Sequence, residues 1–172
     1  MSFDVFLYSW WSDGNPVRSA TETARVEIRA ARLDEVDDLV AACDWLFAPP
    51  GSQPPTWDPA LAADRLRDTI GAAEATVLVA ILDNRIAGFC TVYDDIASVR
   101  FGRRAWVEDL AVNESDRSRG IGKALLDAAK DWGREHGASH LELDSSEARP
   151  DAHRFYEREQ PSWRSISFGW LL

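Results

Sequence analysis

The sequence predicts an α/β domain, one mixed sheet with helices on its faces. Three observations carry this. Short apolar blocks, alternating or continuous, read as strands. Longer stretches repeat their apolar residues at helical spacing. The two kinds interleave as β-α-α-β-β-β-α-β-α-β along the chain, an order that fits one sheet covered by helices. With 172 residues the chain is long enough for one domain with a single core. Its 45% apolar and 28% charged residues are ordinary for a globular protein and argue against disorder.

Residues 1–23 carry Phe3, Phe6, Tyr8, Trp10 and Trp11 and then turn polar, which marks an aromatic arm ahead of a domain at 24–172. Val26-Glu27-Ile28-Arg29 alternates like a half-buried strand. Over 34–47, Val36, Leu39, Val40, Cys43 and Leu46 share a helical face. Prolines 49, 50, 54 and 55 make a stiff loop of 48–59. Asp58 then reads as an N-cap with Pro59 at the first helical position, opening a helix to about residue 70, with Leu61, Leu66 and Ile70 inward. Residues 76–82 form a buried strand, Asp83-Asn84 a turn, and 86–93 the returning strand of an antiparallel hairpin. A strand over 105–112 follows. Then come a helix over 119–135 with Ile121, Ala124, Leu125, Ala128 and Trp132 inward, and a short strand over 140–144. A helix over 150–159 and a last strand over 163–171 complete the order.

Charge and composition remove several function classes. Nineteen basic against 29 acidic residues leave a net charge of −10. Non-specific nucleic-acid binding needs a basic surface and is not expected. A cationic partner is attracted. No apolar run approaches the ~18 residues of a membrane span. No basic segment followed by an apolar stretch opens the chain, so no secretory leader is expected. Cys43 and Cys90 lie in apolar stretches without metal or redox spacing, and read as buried thiols of a reducing, cytoplasmic compartment. No metal site is expected, and His136, His140 and His153 show no ligand spacing.

The chemistry concentrates after the strand at 105–112. There a polar loop leads into Arg117-Ser118-Arg119-Gly120-Ile121-Gly122-Lys123 at the start of an amphipathic helix. Glycines let a ligand approach the main chain without a β-carbon in the way. A helix start offers free amides and the positive end of its dipole. Arg117, Arg119 and Lys123 cluster there in an otherwise acidic chain. Together these specify a pyrophosphate site. It is neither a dinucleotide fingerprint nor a P-loop: the further glycines are missing, and Lys123 is followed by Ala124 rather than Ser or Thr.

Arg117-Ser-Arg-Gly-Ile-Gly122, preceded by Leu110-Ala111-Val112, resembles the Arg/Gln-x-x-Gly-x-Gly/Ala motif of the GCN5-related N-acetyltransferase (GNAT) family. The resemblance covers about residues 25–171. It implies the acyl-CoA N-acyltransferase fold, a mixed sheet of six to seven strands flanked by four helices. It implies acetyl-CoA as co-substrate, with the amides of residues 118–123 cradling its pyrophosphate. Leu110, Ala111 and Val112 would run beside the pantetheine arm like an added strand. Ala152-His-Arg-Phe-Tyr156-Glu resembles the family's Ala-x-x-Phe-Tyr-Glu element. By that likeness Tyr156 donates a proton to the departing CoA sulfur, a fitting task for a phenol of pKa ~10. The chain departs from the family twice. Arg149 stands where the family usually has an asparagine that holds the pantetheine, and Glu159-Gln160-Pro161 replaces the usual Gly-Phe after the tyrosine.

An alkyl ammonium of pKa ~10.4 must lose a proton before it can attack a carbonyl. Glu108 and Asp109 stand beside the expected thioester slot and resemble the Glu-Asp pair of diamine acetyltransferases. Neighbouring strand residues point to opposite faces, so one of them reaches the acceptor unless a local bulge turns both inward. Glu108 is read as the base and Asp109 as an orienting anion. Asp94, Asp95 and Asp144 are candidates for further negative charge in the acceptor pocket. The loop 48–59, with Phe47 and Trp57, falls where the family builds its acceptor wall. The expected activity is direct transfer of acetyl to a primary amine of a small, cationic molecule. Two other readings stand beside it: a non-catalytic acyl-CoA-binding or regulatory module, and a protein N-terminal or lysine acetyltransferase. The aromatic arm and the apolar C terminus Phe168-Gly-Trp-Leu-Leu172 offer sticky surface for a homodimer, a common state of this fold.

Overall fold

The computed structural model describes residues 25–170; the arm at 1–23 lies outside them. Five strands form one sheet in the order of the chain: β1 (Glu27–Ala30), β2 (Ala75–Leu82), β3 (Arg85–Ser98), β4 (Gly102–Val112) and β5 (His140–Leu143). The first four pair antiparallel and β5 joins β4 in parallel. The helices are α1 (Val36–Ala42), α2 (Asp44–Phe47), α3 (Pro59–Gly71), α4 (Ile121–Glu135) and α5 (Pro150–Arg158).

Local chemistry accounts for most boundaries. Asp58 caps α3: its Oδ1 accepts the amides of Ala60 and Leu61 at 2.8 and 3.3 Å. The two-residue turn between β2 and β3 needs positive φ at both positions, and Asp83 (50°) and Asn84 (60°) tolerate it. The single helix expected over 34–47 is divided. A 3-10 turn, Leu33–Glu35, leads into α1, and a break at Cys43 starts α2.

Alternation along the strands builds two cores. Leu39 and Leu66 pack on Val77, Val79, Phe89 and Ala111 beneath α1 and α3. On the other face, Leu78, Cys90, Val92 and Val107 meet Ile121 and Leu125 of α4. Each fully buried leucine or phenylalanine contributes about 1.5–3 kcal/mol.

Three expectations need correction. The strand expected over 163–171 is not found, since 161–170 are irregular, and among the described residues the sheet has five strands rather than six or seven. Ile166, Phe168 and Trp170 alternate as a strand would, but find no partner edge and stay largely exposed, and alternation without a pair does not make a ladder. Leu61 is exposed, and α3 buries Ala62, Ala63 and Leu66 instead. The buried stripe of α4 runs Ile121, Leu125, Leu126, Ala129 and Gly133, with Ala124, Ala128 and Trp132 only half-buried at its margin.

Candidate active site

The site forms where β4 loses one neighbour. β5 pairs with β4 from Arg104 opposite His140 to Val107 opposite Leu143, and no further. β3 stays paired to β4 as far as Val112 opposite Gly88. Among the described residues, 108–112 therefore keep one edge of β4 free of strand partners. Leu110, Ala111 and Val112 lie on that edge.

At the parting point the ladder carries a β-bulge. Asp109 sits opposite Thr91 and Val107 opposite Val92, which leaves Glu108 as the extra residue. Glu108 is exposed, and one of its oxygens, Oε2, accepts the Trp106 indole N–H at 2.7 Å. Asp109 is half-buried and tied to Thr91, whose hydroxyl accepts the Asp109 amide at 2.9 Å and donates to Oδ2 at 3.2 Å. Burial pushes the Asp109 carboxyl above its ordinary range; the Thr91 hydroxyl opposes this and the charge of Glu108 adds to it. The bulge thus brings the two sequence-predicted carboxylates to one stretch of the slot.

Past Val112 a 3-10 turn, Glu114–Asp116, leads to the glycine turn. Gly120 caps α4 in the left-handed region, with φ 81°, and a β-carbon there would meet nothing within 4 Å. Ala124 is the first residue whose amide closes on Gly120, so the amides ahead of it face out of the helix end. Ser118 also adopts positive φ, 63°. Gly122 packs against Phe155, 3.5 Å from a built β-carbon. Ile121 is buried in the core below. The three cations each meet an acid: Arg117 lies 3.8 Å from Glu114, Arg119 3.1 Å from Asp116, and Lys123 2.6 Å from Asp127 and 3.4 Å from Glu159.

α5 packs against the start of α4. Phe155 leans on the start of α4, and Tyr156 follows it with ring centroids 5.1 Å apart. Burial pushes the Tyr156 phenol up to about 12; the buried Cys90 thiol of β3 adds to this and the Arg149 guanidinium opposes it. Arg149 itself turns to α2: its Nη2 donates to the Leu46 carbonyl at 2.6 Å. Gly51 makes room for it, since a β-carbon there would overlap both the Arg149 guanidinium and the Leu46 carbonyl. The loop expected to wall the pocket is anchored by Phe47 and Trp57, edge to face at 4.7 Å and packed on the core.

Below Glu108 the same side of the sheet is an open depression of about 610 Å³ lined by Tyr93, Asp94, Asp95, Arg104, Trp106 and Glu108. Asp94 is paired with Arg103 at 2.5 Å. Arg104 binds Asp95 and Glu142 and lies over the Trp106 ring, 4.9 Å from its centroid. Asp144 is exposed just beyond β5 and joins neither carboxylate. Among the described residues no group of three His, Cys, Asp or Glu could hold a metal ion, and no helix is long and apolar enough to cross a membrane.

Sequence reasoning did not single out three residues that organise this site. Asp116 is almost fully buried, holds Arg85 of β3 through two bonds of 2.7 and 3.0 Å, and also binds Arg119. It ties the glycine turn to the β2–β3 hairpin. In sequence it is one more acid in a polar loop. Thr91 left a fainter trace, a hydroxyl inside the apolar run Phe89-Cys90-Thr91-Val92. Trp106 gives no sign in sequence that its N–H serves Glu108.

A parallel strand parting from an antiparallel sheet, with a glycine turn at the gap, is the arrangement of CoA-dependent acyltransferase folds. The chain belongs to the acetyltransferase (GNAT) family, whose model matches residues 39–160. It is 39% identical over 84 residues to YhdJ of Bacillus subtilis, an uncharacterized N-acetyltransferase. It is 33% identical over 87 residues to the streptothricin acetyltransferase of Streptomyces lavendulae. These matches take in 48% and 50% of this chain, and span 58% and 44% of those relatives. Among solved structures, the aminoglycoside N-acetyltransferase AAC(6')-Iy in complex with CoA superposes with a TM-score of 0.75 at 16% identity, over 89% of this chain and 98% of that one. A ribosomal-protein-alanine N-acetyltransferase of Brucella melitensis superposes at 0.71 with 23% identity, over 86% and 100%. Likeness at these identities speaks for the fold, and the two neighbours bear names with different acceptors.

Proposed function

We propose that the chain is an N-acetyltransferase that moves acetyl from acetyl-CoA to a primary amine of a small cationic molecule by direct transfer. The observation that carries this reading is the free edge of β4 over residues 108–112. It runs from the carboxylate pair toward the glycine turn, and α5, which carries Tyr156, packs on that turn through Phe155. The residues present fit the coenzyme. Gly120 leaves open space over the helix start, and the unpaired edge of β4 can accept an extended amide-bearing arm as a further strand. Acetyl-CoA supplies an activated thioester carbonyl when bound.

Each residue then has a task its surroundings suit. Glu108, with one oxygen engaged by Trp106, offers Oε1 to the acceptor's ammonium proton and frees the nitrogen lone pair for attack. Asp109 is the orienting anion beside it. The main-chain amides of β4 polarise the carbonyl under attack. Tyr156, protonated throughout the neutral range because burial holds its phenol at about 12, delivers its proton to the leaving sulfur. No acyl-enzyme is needed, since Cys43 and Cys90 are buried and burial raises both thiols. Proximity and orientation supply most of the rate.

The cationic acceptor is supported by Glu108 at the rim of the depression, whose Asp94 and Asp95 are already held by Arg103 and Arg104, and by the net charge of −10. The small size is supported by the streptothricin acetyltransferase among the relatives. Purified protein with acetyl-CoA and a panel of amines, followed by free-thiol release, tests the proposal. Release with a polyamine or aminoglycoside is the expected result. No release with any amine, together with no CoA binding by calorimetry, refutes it. A cytoplasmic location and a two-fold dimer belong to the same proposal; sedimentation of the chain with and without residues 1–23 tests the second.

A further inference from the structure

Phe89, Thr91 and Tyr93 share the face of β3 that meets α1 and α3: Phe89 packs in the core there, and the Tyr93 hydroxyl lies 3.3 Å from Thr69 of α3. Thr91 is 3% exposed. A valine would fill that place and suit a buried strand as well. The hydroxyl instead makes two bonds, both to Asp109, and they bracket the point where Glu108 bulges out of the ladder. A buried hydroxyl directed wholly at one carboxylate residue does more than close the register, because the amide bond alone would do that.

We propose that Thr91 is a positioning residue, whose hydroxyl holds the Asp109 carboxylate in one orientation and in its ionised form, as the orienting anion beside Glu108. The inference rests on the acetyltransferase reading for the meaning of Asp109, not for the contact itself. The groups within electrostatic reach of Asp109 agree with the assignment. Glu108 on β4 is a like charge. Cys90 on β3 and Cys43 at the end of α1 are buried thiols, each raised further by the charge on Asp109, and Asp44 adds its own charge at Cys43. Tyr156 and the Arg149 guanidinium also stand in the neighbourhood of Cys90, but Arg149 is turned to the Leu46 carbonyl of α2, and no cation is among the groups that shift Asp109. Burial and Glu108 favour the neutral acid, and the Thr91 hydroxyl is the contact that favours the carboxylate. Without it, Asp109 takes up its proton at a higher pH and the slot loses an anion.

The test is a pH titration of the Asp109 side-chain carboxyl by carbon NMR in the full chain, Thr91→Val and Thr91→Ser. Thr91→Val is expected to raise the midpoint by about one pH unit, and Thr91→Ser to restore it. Acetyl-transfer kinetics with spermidine as the acceptor probe give the second readout. Thr91→Val is expected to raise the spermidine KM about tenfold near the shifted midpoint while leaving the acetyl-CoA KM alone. Asp109→Asn is expected to raise that KM at every pH. An unmoved midpoint in Thr91→Val, or in Thr91→Ala should the valine variant not fold, overturns the proposal. A midpoint that moves without any change in acceptor KM overturns the link to the acceptor. Failure of the acetyltransferase reading would look different: no thiol release by the unaltered chain, with the carboxyl titration still deciding for or against Thr91.

Discussion

Replacing Gly120 by alanine separates folding from coenzyme binding, because the structure predicts unlike costs for the two. Gly120 has φ 81° and ψ 0°, the left-handed region, where a β-carbon costs roughly 1–2 kcal/mol in backbone strain. Nothing else opposes the methyl, since no atom lies within 4 Å of where it would sit. At about 2–4 °C per kcal/mol for a chain of this size, Tm should fall by about 2–8 °C. The same methyl would stand over the free amides of the α4 start, where a phosphate oxygen must come within hydrogen-bond distance. CoA affinity should drop by at least about tenfold, or 1.4 kcal/mol. Gly88→Ala is the control. Its β-carbon would lie 3.0 Å from the Ala111 carbonyl oxygen, 3.0 Å from Ile121 Cγ2 and 3.1 Å from Leu125 Cδ1. Overpacking of that kind costs about 1–3 kcal/mol of stability and presses on Ile121 at the start of α4, so this variant reads how far a shift of the helix end, without a methyl over its amides, weakens CoA binding. Calorimetric titration with CoA, paired with thermal unfolding, reads both variants. If Gly120→Ala loses the expected Tm but binds CoA as the unaltered chain does, the diphosphate does not sit on this turn and the reasoning fails.

Tyr156→Phe should leave CoA binding unchanged and lower kcat by about 10²–10⁴-fold, measured by thiol release at saturating acetyl-CoA; an unchanged kcat would remove the phenol from the proton path. Asp116→Asn should weaken the grip of the glycine turn on the hairpin, seen as a lower Tm and a raised acetyl-CoA KM with kcat little changed, because it leaves Arg85 and Arg119 without their shared charge. Acid stability should carry the mark of Glu35, held by Arg29 at about 2, well below an unfolded carboxyl of about 4.3. The sign follows from linkage: the contribution is present above the unfolded value and disappears as pH falls toward about 2. After solvent screening it is of order 1–2 kcal/mol. Glu35→Gln should therefore narrow the stability gap between pH 7 and pH 3 in urea titrations, and an equal gap in both proteins would count against it.

The legible parts of this fold are those written in local chemistry. Asp58-Pro59 starts a helix because a side-chain oxygen and a fixed φ act within three residues. Asp83-Asn84 turns a hairpin because both tolerate positive φ. The glycine turn announces its amides and its open space for the same reason. What stayed hidden depends on partners distant in sequence. Ile166, Phe168 and Trp170 have the period of a strand, yet the segment stays irregular and Trp163 stacks on Phe101 instead, 6.1 Å between centroids. Asp116 finds Arg85 31 residues away. Whether Glu108 and Asp109 face apart or together depends on a bulge set by the register against β3, which the pair Glu-Asp cannot encode alone.

The free edge of β4 follows from how α4 is seated. At its amino end the helix closes on β3, because Gly88 presents no side chain and lets Ile121 and Leu125 approach. Near its carboxyl end it presents a glycine of its own, Gly133, whose missing β-carbon would lie 3.0 Å from the Ala105 methyl on β4. The two close contacts fix a helix that begins over β3 and ends over β4. The chain that leaves it enters β5 beside Arg104 and stays paired for four residues, as far as Val107. β4 runs on past Val107 without β5, and the bulge at Glu108 lies where the two part. Two glycines and one extra residue thus open the slot between the strands. Gly133→Ala should push α4 off Ala105 and disturb the pairing of β4 with β5, seen as a lower Tm by thermal unfolding and a raised acetyl-CoA KM by thiol release.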